Sequence, residues 1–141
     1  SGRGRIVPAH VSPPDETPDA ESPMGLATGR SLEHWHTGSR TRRSGALDAI
    51  EPEAVAFLNP RDLRRLGVSA GDFVLLETRR GAVRIRTRAD RDVPENMVFA
   101  PFCYAEAAAN LLTNPALDPY GKIPEFKFCA VRVRADADTA A

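Results

Sequence analysis

The sequence has little cysteine and no long apolar segment. Its two cysteines, Cys103 and Cys129, form no CxxC spacing, which excludes a cysteine-only zinc site and gives no disulfide framework. Few cysteines favour a reducing compartment, so we expect a cytoplasmic location. No run approaches the roughly 20 apolar residues needed to cross a bilayer, so we expect no membrane partner.

The chain also lacks a charge surplus. Lysine plus arginine and aspartate plus glutamate number 19 each. This balance argues against nucleic acid as a partner, because neutralising phosphates requires a basic surplus. Hydrophobic residues make up 42% and charged residues 27% of the 141 residues, which is typical of a soluble globular protein. The length allows one domain with its own core and is too short for two.

Proline is concentrated at the start of the chain. Residues 1–23 hold five of the 12 prolines, with an acidic stretch between Pro13 and Pro23. Proline removes backbone donors and acidic residues resist burial, so this segment is predicted to be a linker or arm. We expect the domain itself to span residues 24–134, followed by a disordered tail over 135–141.

Hydrophobic patterning within 24–134 predicts a mainly β domain with short helices. Strands are expected at 24–28, 54–58, 73–78, 82–88, 97–102 and 127–133. A helix begins after the Asn59 cap with Pro60 in its first turn and ends at Gly67. Three consecutive alanines favour a second helix over 105–112, and Arg79-Arg80-Gly81 is typical of a hairpin turn. Short strands with few helices predict a small β-barrel.

Three arginines alternate with apolar residues along the predicted strand 82–88. One face of that strand is therefore apolar and the other charged. Arg84, Arg86 and Arg88 could cradle an anion, but charged strand faces are more often solvated, and we favour that interpretation.

The densest polar cluster of the chain lies at residues 28–43. It combines glycines, hydroxyls, the cation Arg30 and the ring of Trp35, which are the parts needed to hold a nucleotide diphosphate and a planar ring. On composition alone, a hydrated loop would be the favoured interpretation. His34 and His36 resemble a metal pair, but the third histidine, His10, lies in the arm, and we reject a metal site.

The residues of this cluster resemble the opening loop of the molybdopterin dinucleotide-binding domain of the molybdenum/tungsten oxidoreductase family. The resemblance continues in order through residues 59–62, 66–67, 71–72, 79–81, 110–113 and 124–127, and it covers about 24–134. Segments 102–113 and 121–127 look most like the alpha subunit of NAD-linked formate dehydrogenases. The same domain of a nitrate reductase is the alternative, as is a stand-alone pterin-binding subunit or an adaptor barrel without catalysis.

The resemblance implies a single six-stranded double-psi β-barrel that is the last domain of a catalytic subunit oxidising formate to carbon dioxide. It also implies the bis(molybdopterin guanine dinucleotide) cofactor, with molybdenum or tungsten held by the parent subunit. Implied partners are the upstream domains and the other formate dehydrogenase subunits. The isolated domain carries no catalytic or metal-ligating residue and is expected to be inactive. The implied cofactor contacts are Thr28, Gly29, Arg30, His34, Trp35, His36, Thr37, Gly38 and Thr41, with Asn110, Phe126 and Lys127 approaching from the far side.

Overall fold

The computed structural model of the chain describes residues 2–136. Its strands are β1 (Met24–Gly29), β2 (Val55–Leu58), β3 (Phe73–Glu77), β4 (Ala82–Ala89), β5 (Met97–Pro101) and β6 (Phe128–Ala135). Two α-helices are formed, α1 (Gly45–Ile50) and α2 (Pro60–Leu66), together with 3-10 turns at Thr41–Arg43 and Ala109–Leu111. None of the helices in the described part of the chain is long and apolar enough to span a membrane.

The six strands form a closed barrel in the order β1-β5-β2-β4-β3-β6. The pairs β1/β5 and β2/β4 are parallel and the other four are antiparallel. The predicted six-stranded barrel is therefore confirmed. Its interior is filled by alternate side chains of each strand, such as Val74 and Leu76 of β3 and Val83 and Ile85 of β4.

Strand β1 determines which loops meet at one end of the barrel. Its last residue, Gly29, pairs with Pro101 at the end of the parallel strand β5. Ala27 pairs with Phe128 at the start of the antiparallel strand β6. The carboxyl ends of parallel strands share one edge, and an antiparallel neighbour begins there. The segments after β1, after β5 and before β6 therefore converge.

Local sequence signals predicted α2 correctly. The Asn59 side chain accepts a hydrogen bond from the Arg61 N–H at 2.9 Å, and Pro60 occupies the first turn. Gly67 ends the helix with a φ of 67°, a left-handed conformation that costs glycine little. The hairpin at 79–81 is also confirmed, with Glu77 paired to Ala82.

The predicted helix over 105–112 is wrong. Only Ala109–Leu111 is helical, as a 3-10 turn, because Ala108 before it is extended, with a ψ of 102°. Ala107, Ala109 and Leu112 are all buried, so packing of these side chains overrides the weak helix propensity of a short alanine run. Helix α1 was not predicted.

The strand β6 ends at Ala135, two residues beyond its predicted end. Arg134 continues the pairing with β3 opposite Leu75, and its guanidinium contacts the Glu77 carboxylate at 2.5 Å. The backbone pairing with β3 thus continues past the last apolar residue of the pattern, and the ion pair lies across the two strands. Residues 137–141 of the predicted tail lie outside the described residues.

The arginines of β4 lie on the outer, solvated face of the barrel. Arg84 pairs with Asp136, Arg86 with Glu53 and Arg88 with Glu51. Each guanidinium also stacks over a phenylalanine ring, with centroid distances of 3.7 to 5.2 Å. The charges are neutralised within the chain, which favours a solvated face over an anion cradle.

The Pro-rich arm forms no helix or strand over residues 2–23, but its second half contacts the barrel. Glu16 pairs with Arg79 at 3.4 Å and with Arg80, and it accepts a hydrogen bond from the Ala130 N–H at 2.9 Å. Asp19 pairs with Arg79. The arm is thus held against the β3–β4 hairpin and β6 by its acidic residues.

Candidate cofactor-binding loop

Residues 30–41, here called the β1 loop, leave the barrel where three distant segments converge. The Thr28 N–H donates to the Lys127 carbonyl at 3.1 Å, and the Thr28 hydroxyl donates to the Phe126 carbonyl. The Phe102 N–H donates to the Gly29 carbonyl at 3.1 Å. The start of the loop is therefore fixed between the residues that follow β5 and those that precede β6.

The inner side of the β1 loop is organised around His34, which is 2% exposed. Its Nε2 lies 2.9 Å from the Glu51 carbonyl oxygen, and a carbonyl can only accept, so Nε2 donates. Nδ1 lies within hydrogen-bonding distance of the Thr41 hydroxyl oxygen, at 3.3 Å. That hydroxyl oxygen also accepts from the Trp35 N–H at 3.0 Å. Both ring nitrogens of His34 are therefore engaged within the chain.

Tyr104 completes this network from the segment after β5. Its hydroxyl donates to the same Glu51 carbonyl at 3.0 Å, and its ring meets His34 edge-on at a centroid distance of 5.5 Å. Burial raises the pKa of Tyr104 well above its ordinary value, so the phenol stays protonated and able to donate. A buried polar network that is fully paired in this way rigidifies the segments it joins.

Gly38 allows the loop to pass very close to the backbone after β5. Its φ is 72°, and a Cβ there would lie 2.6 Å from the Cys103 carbonyl oxygen and 2.9 Å from Cγ of Arg42. Any side chain at this position would meet a carbonyl that cannot rotate away. This is a place where close backbone approach requires glycine.

Arg42 joins the end of the β1 loop to two other segments. Its guanidinium contacts Glu106 at 2.6 Å and Asp48 at 3.1 Å, and it lies 4.8 Å from the ring centroid of Tyr104. The hydrogen bond with Glu106 raises the pKa of Arg42. Sequence reasoning did not find this pair, because residues 42 and 106 are brought together only by the fold.

The outer side of the loop presents an exposed aromatic and cationic surface. Trp35 is 60% exposed. The Arg30 guanidinium carbon lies 4.9 Å from the Trp35 ring centroid, and the His36 ring meets Trp35 edge-on at 4.6 Å. Next to Thr28, the Lys127 ammonium lies 5.0 Å from the ring centroid of Phe102.

An open groove of about 670 Å³ runs along the loop, lined by Arg30, Ser31, Leu32, Glu33, His34, Trp35, Thr41 and Leu47. Two successive backbone N–H groups, those of Leu32 and Glu33, donate to no acceptor within residues 2–136, whereas the Ser31 N–H contacts the Cys103 thiol. Free N–H groups beside a fixed cation suit phosphate oxygens, and an exposed indole suits a planar ring. The residues present therefore fit a nucleotide that carries phosphates and a flat heterocycle.

Two predicted contacts are placed differently from the rest. Asn110 is exposed on the 3-10 turn that packs against the hairpin, where the Leu111 carbonyl lies 3.0 Å from a Cβ built on Gly81. Thr37 is exposed and forms no side-chain hydrogen bond to any described residue. Within residues 2–136 no three His, Cys, Asp or Glu side chains are grouped to hold a metal ion.

Residues 24–130 match the family model of the molydopterin dinucleotide binding domain. The chain belongs to this family. The molydopterin dinucleotide-binding chain is 42% identical over 132 residues to the F420-dependent formate dehydrogenase 1 subunit alpha of Methanococcus maripaludis. It is 41% identical over 133 residues to the F420-dependent formate dehydrogenase subunit alpha of Methanocaldococcus jannaschii.

These matches cover 94% of this chain but 20% of each relative, so the chain spans about a fifth of the length of the curated relatives it matches. Among solved structures, acetylene hydratase from Pelobacter acetylenicus superposes with a TM-score of 0.73 at 20% identity, covering 82% of this chain and 19% of that one. This likeness supports the fold of the molydopterin dinucleotide-binding domain.

Proposed function

We propose that this chain is the C-terminal, cofactor-binding domain of a formate dehydrogenase alpha subunit and contributes to the oxidation of formate to carbon dioxide. The observation that carries the proposal is the 42% identity with a formate dehydrogenase alpha subunit along 94% of the chain. We further propose a cytoplasmic location and, as partners, the upstream domains of the same subunit and other formate dehydrogenase subunits.

The proposed ligand of the β1 loop is molybdopterin guanine dinucleotide, in its bis form and with molybdenum or tungsten held by the parent subunit. When bound, the cofactor supplies the two-electron chemistry at its metal. The groove gives this domain a binding role: the free N–H groups of Leu32 and Glu33, with Arg30, would hold phosphates, while Trp35 and His36 would face a ring. Thr28, Gly29, Phe126 and Lys127 would contact the cofactor at the start of the loop, Thr37 in its second half, and Asn110 from the hairpin side.

His34, Gly38 and Thr41 support the same loop from inside. Because both nitrogens of His34 already have partners, its proposed contribution is to fix the path of the loop and to meet the cofactor through the loop it positions. Loss of these anchors would let residues 31–33 move, and a binding site depends on such positions being held to within a fraction of an ångström.

A substitution of Arg30 tests the binding role. In the full-length subunit, Arg30→Ala removes a charge-assisted hydrogen bond to phosphate, which contributes about 1.5–3 kcal/mol, so cofactor affinity should fall by a factor on the order of 10 to 100. Arg64→Ala is the matched control, since Arg64 is an exposed arginine on α2.

The measurement is bound pterin per subunit, released and quantified by fluorescence, alongside formate-dependent reduction of an artificial dye. Equal pterin content in both variants would refute the role of Arg30. If the wild-type subunit has full pterin content but does not oxidise formate, formate is refuted as the substrate, while the proposed cofactor binding is not affected.

A further inference from the structure

A tightly closed turn follows the 3-10 turn at 109–111. Leu117 and Pro124 form an isolated antiparallel bridge, and the Asp118 N–H donates to the Ile123 carbonyl at 3.1 Å. The Asp118 carboxylate accepts three backbone hydrogen bonds at 2.6 to 2.9 Å, from the N–H groups of Tyr120, Gly121 and Ile123. These bonds keep the pKa of Asp118 below its ordinary value. Residues 117–124 are called the Asp118 turn below.

This ordered turn exposes large apolar side chains. Tyr120 is 94% exposed, Ile123 62% and Leu117 55%. An exposed loop of a free-standing protein is usually polar, whereas apolar side chains on a rigid turn are typical of an interface, because little further ordering is needed on binding. Tyrosine in particular is enriched among the residues that dominate interface energetics.

The base of the turn is joined by hydrogen bonds to the end of β1, where the β1 loop begins. The Glu125 N–H donates to the Ala116 carbonyl at 2.8 Å, and its carboxylate accepts from the buried Asn114 amide at 3.0 Å. The next two residues, 126 and 127, accept the two hydrogen bonds from Thr28. The Asp118 turn therefore leads into the end of the barrel from which the β1 loop also leaves.

The length of the relatives indicates what covers the turn. This chain matches 20% of the length of each formate dehydrogenase subunit. Most of such a polypeptide therefore lies outside the part that corresponds to this chain. The groove along the β1 loop is open on one side, and a small-molecule site generally needs a second wall. The part of the polypeptide that forms this wall must lie over the surface next to the groove.

We propose that the Asp118 turn is a docking element that inserts Tyr120 and Leu117 into an apolar recess on the remainder of the same alpha-subunit polypeptide. The inference deepens the proposed function, on which it rests for the existence of that remainder. Docking at the turn would hold the groove closed over the cofactor. No residue of the turn itself would contact the cofactor.

Proteolytic cleavage after Lys122 gives a direct readout of docking, because Lys122 lies within the turn. Lys122 and Lys127 are the two lysines in the sequence. Endoproteinase Lys-C cleaves after lysine, and the peptide ending at Lys122 is identified by mass spectrometry. In the full-length subunit, docking should protect the bond after Lys122. Tyr120→Ser and Leu117→Ser should each accelerate its cleavage about tenfold or more, since each removes a buried apolar side chain from the interface.

Ile50→Ser is the matched control, because Ile50 is 63% exposed on α1 and lies outside the turn. It should leave cleavage at Lys122 at the wild-type rate. The proposal is overturned if wild-type Lys122 is cleaved as fast as in Tyr120→Ser, or if Ile50→Ser has the same effect. Protection that requires added subunits, or that grows with the concentration of the alpha subunit, would assign the turn to another subunit or to a second copy.

Dye reduction with formate, measured on the same preparations, separates this inference from the proposed function. Protection of Lys122 in a subunit that does not oxidise formate would overturn the proposed function and support docking. Rapid cleavage at Lys122 in an active subunit would overturn docking alone.

Discussion

Gly38 and Gly67 offer a matched test of how tightly the β1 loop packs. Both have left-handed backbones, with φ of 72° and 67°. A Cβ on Gly67 would meet nothing within 4 Å, whereas one on Gly38 would lie 2.6 Å from the Cys103 carbonyl oxygen. An alanine in this conformation costs about 1–2 kcal/mol at either position. At Gly38 the forced contact adds about 1–3 kcal/mol, because overpacking displaces a backbone segment.

The assay is urea unfolding of the 141-residue chain carrying Gly38→Ala or Gly67→Ala. The extra cost at Gly38 should separate the two midpoints by about 1 M urea, given slopes of 1–3 kcal/mol/M. In the full-length subunit, only Gly38→Ala should also lower pterin content, since it shifts the β1 loop. Equal midpoints for the two variants would show that the loop does not pack against Cys103 as described.

Two further outcomes are expected from the anchors of the loop. Thr41→Val leaves Nδ1 of His34 and one backbone N–H without partners and should lower the free energy of unfolding by about 1–3 kcal/mol; Thr37→Val, at an exposed threonine, should change it little, and equal urea midpoints would contradict the network. Burial raises the pKa of Glu106, but the hydrogen bond from Arg42, a backbone hydrogen bond and the charge of Arg42 together outweigh it and lower the pKa below its ordinary value of 4.5. The pair therefore stabilises the fold fully above that value and progressively less as the pH falls through the lower folded pKa. Glu106→Gln should remove less than about 1 kcal/mol at pH 7, because the carboxylate is half exposed, and progressively less as the pH falls through the folded pKa; a loss that does not change with pH would exclude the ion pair.

Features that depend on neighbouring residues could be predicted from the sequence. The start of α2 at Asn59, its end at Gly67 and the hairpin at 79–81 each follow from side-chain or backbone preferences acting over a few residues. The alternation of Val83 and Ile85 with arginines likewise gave the inner face of β4. The six-stranded barrel itself was predicted through the family resemblance, because short strands alone do not determine their pairing.

Features that depend on distant residues were not predictable. The orientation of His34 is set by the Glu51 carbonyl and by Tyr104, which lie 17 and 70 positions further along the chain. Spacing could show only that His34 and His36 are two residues apart, as a metal pair would be, and the expectation that both contact the cofactor came from the family resemblance. His36 has a positive φ of 49°, and the His34 ring is buried while His36 is exposed. For residues 105–112 local propensity predicted a helix, and the burial of side chains in the fold overruled that propensity.

The division of the β1 loop into an inner and an outer side leads to a further consequence. The side-chain polar atoms of His34 and Thr41 are hydrogen-bonded to each other, to the Glu51 carbonyl and to the Trp35 N–H, whereas the side chains of Arg30 and Trp35 are exposed and contact each other. Substitutions on the inner side should therefore lower stability and cofactor content together, because they release the path of the loop. Those on the outer side should lower cofactor content while leaving the unfolding midpoint of the 141-residue chain unchanged. An outer substitution such as Trp35→Ala that destabilises the chain as much as Thr41→Val would show that the indole supports the fold and is not reserved for a ligand.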